Sequence, residues 1–176
     1  MLQFFSILTI VLLVCIDQLI KGIILLWLKP LQSVSLIPEV LSLTYVENRG
    51  AAFGVFQGSA VVMGILSCFI FIGGLYLLFS RSLDRKFSLN KLNIGLSYAA
   101  LILIMGGGLG NFIDRIFRQY VIDFIELRFI RFPVFNFADC LITVGILLFI
   151  VWTVRYCIEV KKLEDQQKRQ AEARND

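Results

Sequence analysis

The sequence predicts an all-α membrane protein, a bundle of four membrane-crossing helices. Three observations point there. The chain of 176 residues is 58% hydrophobic and only 17% charged, with a mean hydropathy of +0.81, where soluble domains carry roughly a quarter charged residues. Its apolar residues fall in four blocks, each near the roughly 20 residues that a helix needs to cross a bilayer. The segments between the blocks hold most of the charge.

The first helix is expected over about Phe4 to Leu28, interrupted by Asp17 and Lys21. A cleaved signal peptide fits this block poorly: no basic segment precedes it, no A-x-A site follows, and the apolar run resumes after Lys21. After it, "PEVLSLTYVEN" (38–48) alternates like a strand once Pro38 has broken the helix. The second helix is expected over about Ala60 to Phe79 and the third over about Leu92 to Phe112. "VIDFIELRFIRF" (121–132) alternates apolar and charged residues, as a strand or as a segment lying in the membrane interface. The fourth helix is expected over about Phe137 to Cys157. Residues 1–160 thus form one membrane domain. The polar tail 161–176 reads as a solvated helix end that becomes disordered.

Basic residues set the orientation. The segment after the second helix (Arg81, Arg85, Lys86, Lys91) and the C-terminal tail together hold 10 lysines and arginines, against 6 in the first and third connections. Both termini are therefore expected in the cytoplasm. The net charge of +4 is a matter of topology, because the basic residues form no patch with interleaved aromatics of the kind nucleic acid requires. Cys15, Cys68, Cys140 and Cys157 sit in or at the ends of apolar blocks with no CxxC spacing, and read as small buried hydrophobes. The chain has no histidine, which removes Ser-His-Asp and Cys-His pairs and HExxH zinc sites; no metal or cofactor is expected.

In this topology the polar residues of the membrane domain collect at its outer end. Asp17 and Lys21, spaced i, i+4, share one helix face. Asn48 and Arg49 follow in the first outer connection. "GGGLGNFIDR" (106–115) ends the third helix with Asn111, Asp114 and Arg115. Asp123 lies in the next connection, and Asn136 and Asp139 open the fourth helix. Each has a bland reading: Asp17–Lys21 as a buried ion pair, Asp114 beside Arg115 as structure, Asn136 as an N-cap, Gly106 and Gly110 as a helix-packing GxxxG. Two capping residues three apart would be redundant, so Asp139 is read as chemical. Four aspartates at one depth suggest paired-carboxylate chemistry, in which one acid holds a proton that its neighbour cannot keep. Such a pair can hydrolyse a peptide bond with an activated water. Composition and spacing do not select the pair from the four.

Five motifs in order, "DQLIK" (17–21), "NRGAAFG" (48–54), "GGGLGNFIDR" (106–115), "VIDF" (121–124) and "FPVFNFAD" (132–139), resemble those of the lipoprotein signal peptidases, signal peptidase II. The resemblance implies a four-helix bundle with a small extracytoplasmic β-cradle in the bacterial inner membrane. It implies an aspartic endopeptidase that cleaves prolipoproteins before a diacylglyceryl-modified cysteine, acts without a cofactor and is inhibited by globomycin. It assigns the catalytic pair to Asp123 and Asp139. The supporting shell falls on Asp17, Lys21, Asn48, Gly54, Asn111, Asp114, Arg115 and Asn136, with Asp114 as a third catalytic candidate. The implied partners are the lipidated substrate and the bilayer, and the chain is expected to act as a monomer. One departure is Gln119, where such sequences usually have glycine; glutamine tolerates positive φ poorly, so the connection before Asp123 is expected to bend differently.

Two other enzymes and a transporter compete with this reading. A Ser-Lys peptidase on Lys21 would need Ser6, Ser33 or Ser35, and Ser6 lies about four turns along the helix toward the inside. A presenilin-type protease would use GxGD where this chain has "GLGN". A transporter would want polar residues at the midplane or on both sides, and apolar stretches such as "ILLFIVW" offer none.

Overall fold

The computed structural model describes residues 2–50, 60–80 and 91–175. Gly54 and the basic residues Arg81, Arg85 and Lys86 lie outside the described residues. Helix α1 spans Leu2–Leu31, with a π turn at Ile24–Leu28 and a last turn at Lys29–Leu31. The π turn has a cause in the sequence. Pro30 has no N–H to continue the ladder, and the Lys29 N–H reaches back to Ile24 instead. Helix α2 is Ala60–Ser80, α3 is Lys91–Arg118 and α4 is Phe137–Asn175. By length and composition α1, α3 and α4 can each cross a membrane, and α2 is a further apolar helix packed on α3.

Three antiparallel strands, β1 (Ser33–Ile37), β2 (Leu41–Asn48) and β3 (Val121–Leu127), form a small sheet in the order β1-β2-β3. The registers pair Val34 with Leu43 and Val46 with Asp123. One face of the sheet packs on the end of α1: Ile24 and Leu28 are buried with Ile122 and Phe124, and Leu43, Tyr45 and Phe137 close around them. This places β3, and Asp123 on it, directly over the ends of the helices. The two alternating segments are therefore strands, the second only as far as Leu127. β1 was not foreseen: it is a short edge strand, almost wholly exposed, and its polar–apolar alternation runs only from Ser33 to Leu36.

The helices approach closely where the glycines sit. A Cβ at Gly110 would lie 2.5 Å from the Asp17 carboxylate, and one at Gly107 would strike the backbone carbonyl of Ala138 on α4. Gly106 faces Leu13, so the small residues of α3 admit α1 on one side and α4 on the other.

Three expectations need correction. The tail from residue 161, expected to become disordered, is helical as far as Asn175, and residues 161–175 are mostly good helix formers. The cysteines are free but not buried: Cys15, Cys68 and Cys157 face outward and Cys140 is half-buried, as suits small residues that meet lipid. Polar residues are not confined to one end. Asn93 and Ser97 are buried at the end away from the sheet, where Asn93 accepts from Arg155 and donates to Glu159.

Candidate active site

Asp123 and Asp139 line one cavity of about 1320 Å³ between α2, α3, α4 and the sheet. Each comes from an element edge that the sequence builds locally. Asp123 is the third residue of β3 and only 1% exposed. Its Oδ1 accepts from the Asn136 side-chain amide at 2.6 Å, and its Oδ2 from the Asn48 amide at 2.8 Å. Asn48 is held to this task because its own oxygen is taken by the Gly50 N–H at 3.0 Å.

Asp139 occupies the first turn of α4. Its Oδ2 accepts from the Asn136 N–H at 3.1 Å, while Asn136 Oδ1 accepts from the Asp139 N–H at 3.0 Å. This is a reciprocal capping box. The expectation that two caps three residues apart would be redundant was therefore wrong, because each satisfies the other's N–H. Capping leaves Asp139 Oδ1 free for a second donor, the Asn111 amide at 2.8 Å. Each of the four carboxylate oxygens thus receives one protein hydrogen bond, which leaves acceptor capacity on both groups.

Asn136 ties the pair together. Its side-chain amide donates to Asp123 and to Asn111 Oδ1, and its backbone N–H donates to Asp139. Burial and the neighbouring charge of Asp139 raise the Asp123 carboxyl to about 6.

Behind the pair lies a buried ionic network. Lys21 donates to Asp17 Oδ2 at 2.8 Å, Asp114 Oδ2 at 2.9 Å and Asn111 Oδ1 at 2.9 Å, and all of its side chain is buried. Lys21 thus spends its three protons on two carboxylates and on the amide that faces Asp139. Asp114 does not line the cavity. It accepts from Lys21, Gln18 and Arg118, and from the backbone N–H of Ile122, next to Asp123. That geometry suits a strut for β3 and gives Asp114 no route to a reacting atom. Arg115 does line the cavity; it donates to the Asn111 carbonyl at 3.3 Å and makes no ion pair among the described residues.

Two members of this network were not anticipated. Gln18 bridges Asp17, Asp114 and the Gly110 carbonyl, and Arg118 clamps both Gln18 and Asp114. The i, i+4 spacing of Asp114 and Arg118 was the available signal for the second. Gln119 takes φ 64, the left-handed conformation that glycine would adopt without strain, and donates to the Ile116 carbonyl. The connection before Asp123 therefore keeps a positive φ in spite of the glutamine, contrary to the expectation of a different bend. Among the described residues, no group of three or more His, Cys, Asp or Glu side chains could hold a metal ion.

A family model described as signal peptidase (SPase) II matches residues 9–155. A lipoprotein signal peptidase of Lactobacillus johnsonii is 39% identical over 138 residues, covering 78% of this chain and 84% of that one. The lipoprotein signal peptidase of Streptococcus pneumoniae is 38% identical over 143 residues, covering 81% and 87%. Two solved structures, each described as a bacterial membrane enzyme determined by the in meso method, share the fold. One, at 2.3 Å resolution, has a TM-score of 0.71 at 31% identity, covering 85% of this chain and 87% of that one. The other, at 1.9 Å, has a TM-score of 0.69 at 34% identity, covering 83% and 90%.

Proposed function

This chain belongs to the signal peptidase II family, and we propose that it is a membrane aspartic endopeptidase that removes signal peptides from diacylglyceryl-modified prolipoproteins. The observation that carries the reading is that Asp123 and Asp139 share one cavity and one bridging residue, Asn136. Cleavage falls on the amino side of the lipidated cysteine. The enzyme lies in the bacterial inner membrane with both termini in the cytoplasm and the sheet outside.

The chemistry follows from the two environments. We assign the shared proton to Asp123, whose carboxyl is raised to about 6 by burial and by the charge of Asp139 beside it, and the role of base to Asp139, which accepts from Asn111 and from the Asn136 N–H. Asp139 takes a proton from a water between the two groups as the water oxygen bonds to the scissile carbonyl carbon. Asp123 polarises the carbonyl oxygen by hydrogen bonding. Collapse of the tetrahedral species breaks the C–N bond as Asp139 passes the proton it took from water to the leaving amine nitrogen. The products are a signal peptide with a new carboxyl terminus and a lipoprotein with a free amino group on its first cysteine. No covalent intermediate forms, and no cofactor is needed.

The cavity suits a lipidated peptide. At about 1320 Å³ it exceeds the roughly 300–1,000 Å³ of ordinary small-molecule sites. Its polar end holds Asn48, Arg115 and the two aspartates, and its apolar wall holds Ile70, Phe71, Leu109 and Ile142. Acyl chains would lie along the apolar wall and the peptide across the polar end.

The test is incubation of purified protein with a diacylglyceryl-modified prolipoprotein, with and without globomycin. The expected result is a single cut before the modified cysteine, abolished by globomycin and absent when the substrate lacks its lipid. Equal cleavage of the unlipidated precursor would overturn the assigned specificity, and absence of cleavage the assigned activity.

A further inference from the structure

The far end of the sheet carries an apolar surface that the peptidase reading does not use. Leu36, Ile37 and Val40 on the β1–β2 hairpin and Phe129 and Ile130 just after β3 are each between 43% and 61% exposed. They belong to one tip. Ile37 pairs with Leu41, Leu41 pairs with Leu127, and the Arg128 N–H donates to the Val40 carbonyl at 2.9 Å. Leu127 lies four residue steps along β3 from Asp123, so the tip stands about 13 Å beyond Asp123. Contiguous exposed apolar surface of this kind marks a binding or membrane-contact site.

We propose that this tip dips into the headgroup–acyl boundary of the leaflet on the sheet side of the same bilayer. Three observations favour lipid over a protein partner. The strand that leads to the tip leaves the lipid-facing end of α1: Leu26, Trp27 and Leu31 are exposed, and β1 begins two residues after Leu31. Trp27 marks that level, because tryptophan collects at membrane interfaces. Arg128, paired with Glu126 at 3.3 Å, and Arg131 flank Phe129 and Ile130 on long stems that can bury their carbons and keep their charges among headgroups. Glu39 is the one acidic residue of the hairpin turn, at its outermost point, where it can remain in water. The consequence is a sheet held at both ends, by α1 at one and by lipid at the other, which fixes the depth of Asp123. The proposal requires only that the chain spans a bilayer, so its failure and that of the peptidase reading are distinguishable.

The test is fluorescence quenching in proteoliposomes. The chain has two tryptophans. One variant carries Trp27→Phe, Trp152→Phe and Phe129→Trp, a second places Ile130→Trp in the same background, and a third keeps only Trp27 as a depth reference. The expected result is strong quenching of both new tryptophans by lipids brominated near the headgroup, comparable to Trp27, with weaker quenching by bromines deep in the chains and by aqueous iodide. Quenching by iodide without quenching by bromolipid would place the tip in water and overturn the proposal. Shielding from both quenchers, the mark of a protein cover, would overturn it as well.

Discussion

Asp123 is buried where a charge is expensive, and the cost has a sign that can be measured. Its folded value of about 6 lies above the 3.8 of an unperturbed aspartate, so the folded state holds this proton more tightly than the unfolded chain. The stability this contributes is complete below about pH 4 and is lost as pH rises through 6. At 1.36 kcal/mol per unit the loss approaches roughly 3 kcal/mol. We expect wild-type stability, measured in detergent relative to Asp123→Asn, to fall by up to that amount between pH 4 and 7. A flat difference would contradict the perturbed carboxyl. Lys21 offers a second residue-level test. Its bond to Asn111 Oδ1 keeps that amide's N–H₂ toward Asp139. Lys21→Met strands Asp17 as a buried charge, while Asp114 keeps Arg118, and should cost about 3–5 kcal/mol. Adding Asp17→Asn should restore much of the stability while kcat stays down about 100-fold, because Asn111 is free to turn. Recovery of stability and activity together would make Lys21 merely structural.

At the scale of elements, close helix approach is the feature on which the site depends. Gly107→Ala would push a methyl into the Ala138 carbonyl and displace the first turn of α4, which carries Asp139. We expect a lower Tm and at least a tenfold loss of processing, whereas Gly95→Ala, with nothing within 4 Å, should leave both unchanged or gain up to about 1 kcal/mol. Equal behaviour of the two variants would contradict the packing account. The helices were legible because their apolar runs are long, and β2 and β3 because they alternate. β1 was missed because its alternation, Ser33 to Leu36, is too short to stand out beside the end of a long apolar helix. The polar residues could be placed at one depth by counting from the membrane boundary. Which of them face the cavity and which face the ionic network depends on helix rotation and on Asn136. Asp114 and Asp139 look alike in the sequence, yet one braces a strand from behind and the other opens a helix toward the cavity.

At the sheet end the molecule divides its buried polar residues between two tasks. Lys21, Asp17, Asp114, Gln18 and Arg118 lock α1 to α3 behind the site. Asp123 and Asp139 face the cavity in front, and Asn111 and Asn136 connect the two sets. The bundle supplies a fixed depth in the bilayer, and the sheet carries one half of the pair over the helix ends to meet the other. The central claim is that the two carboxylates act as a unit on one water. It is tested most directly by single-turnover processing of a diacylglyceryl-modified prolipoprotein by wild type, Asp123→Asn, Asp139→Asn and the double variant, each confirmed folded by its melting curve. The expected result is that either single substitution slows cleavage by at least about 1,000-fold and that the double variant is little worse than either, as for residues that work together. Near-normal cleavage by a folded single variant, or losses that multiply in the double, would contradict it.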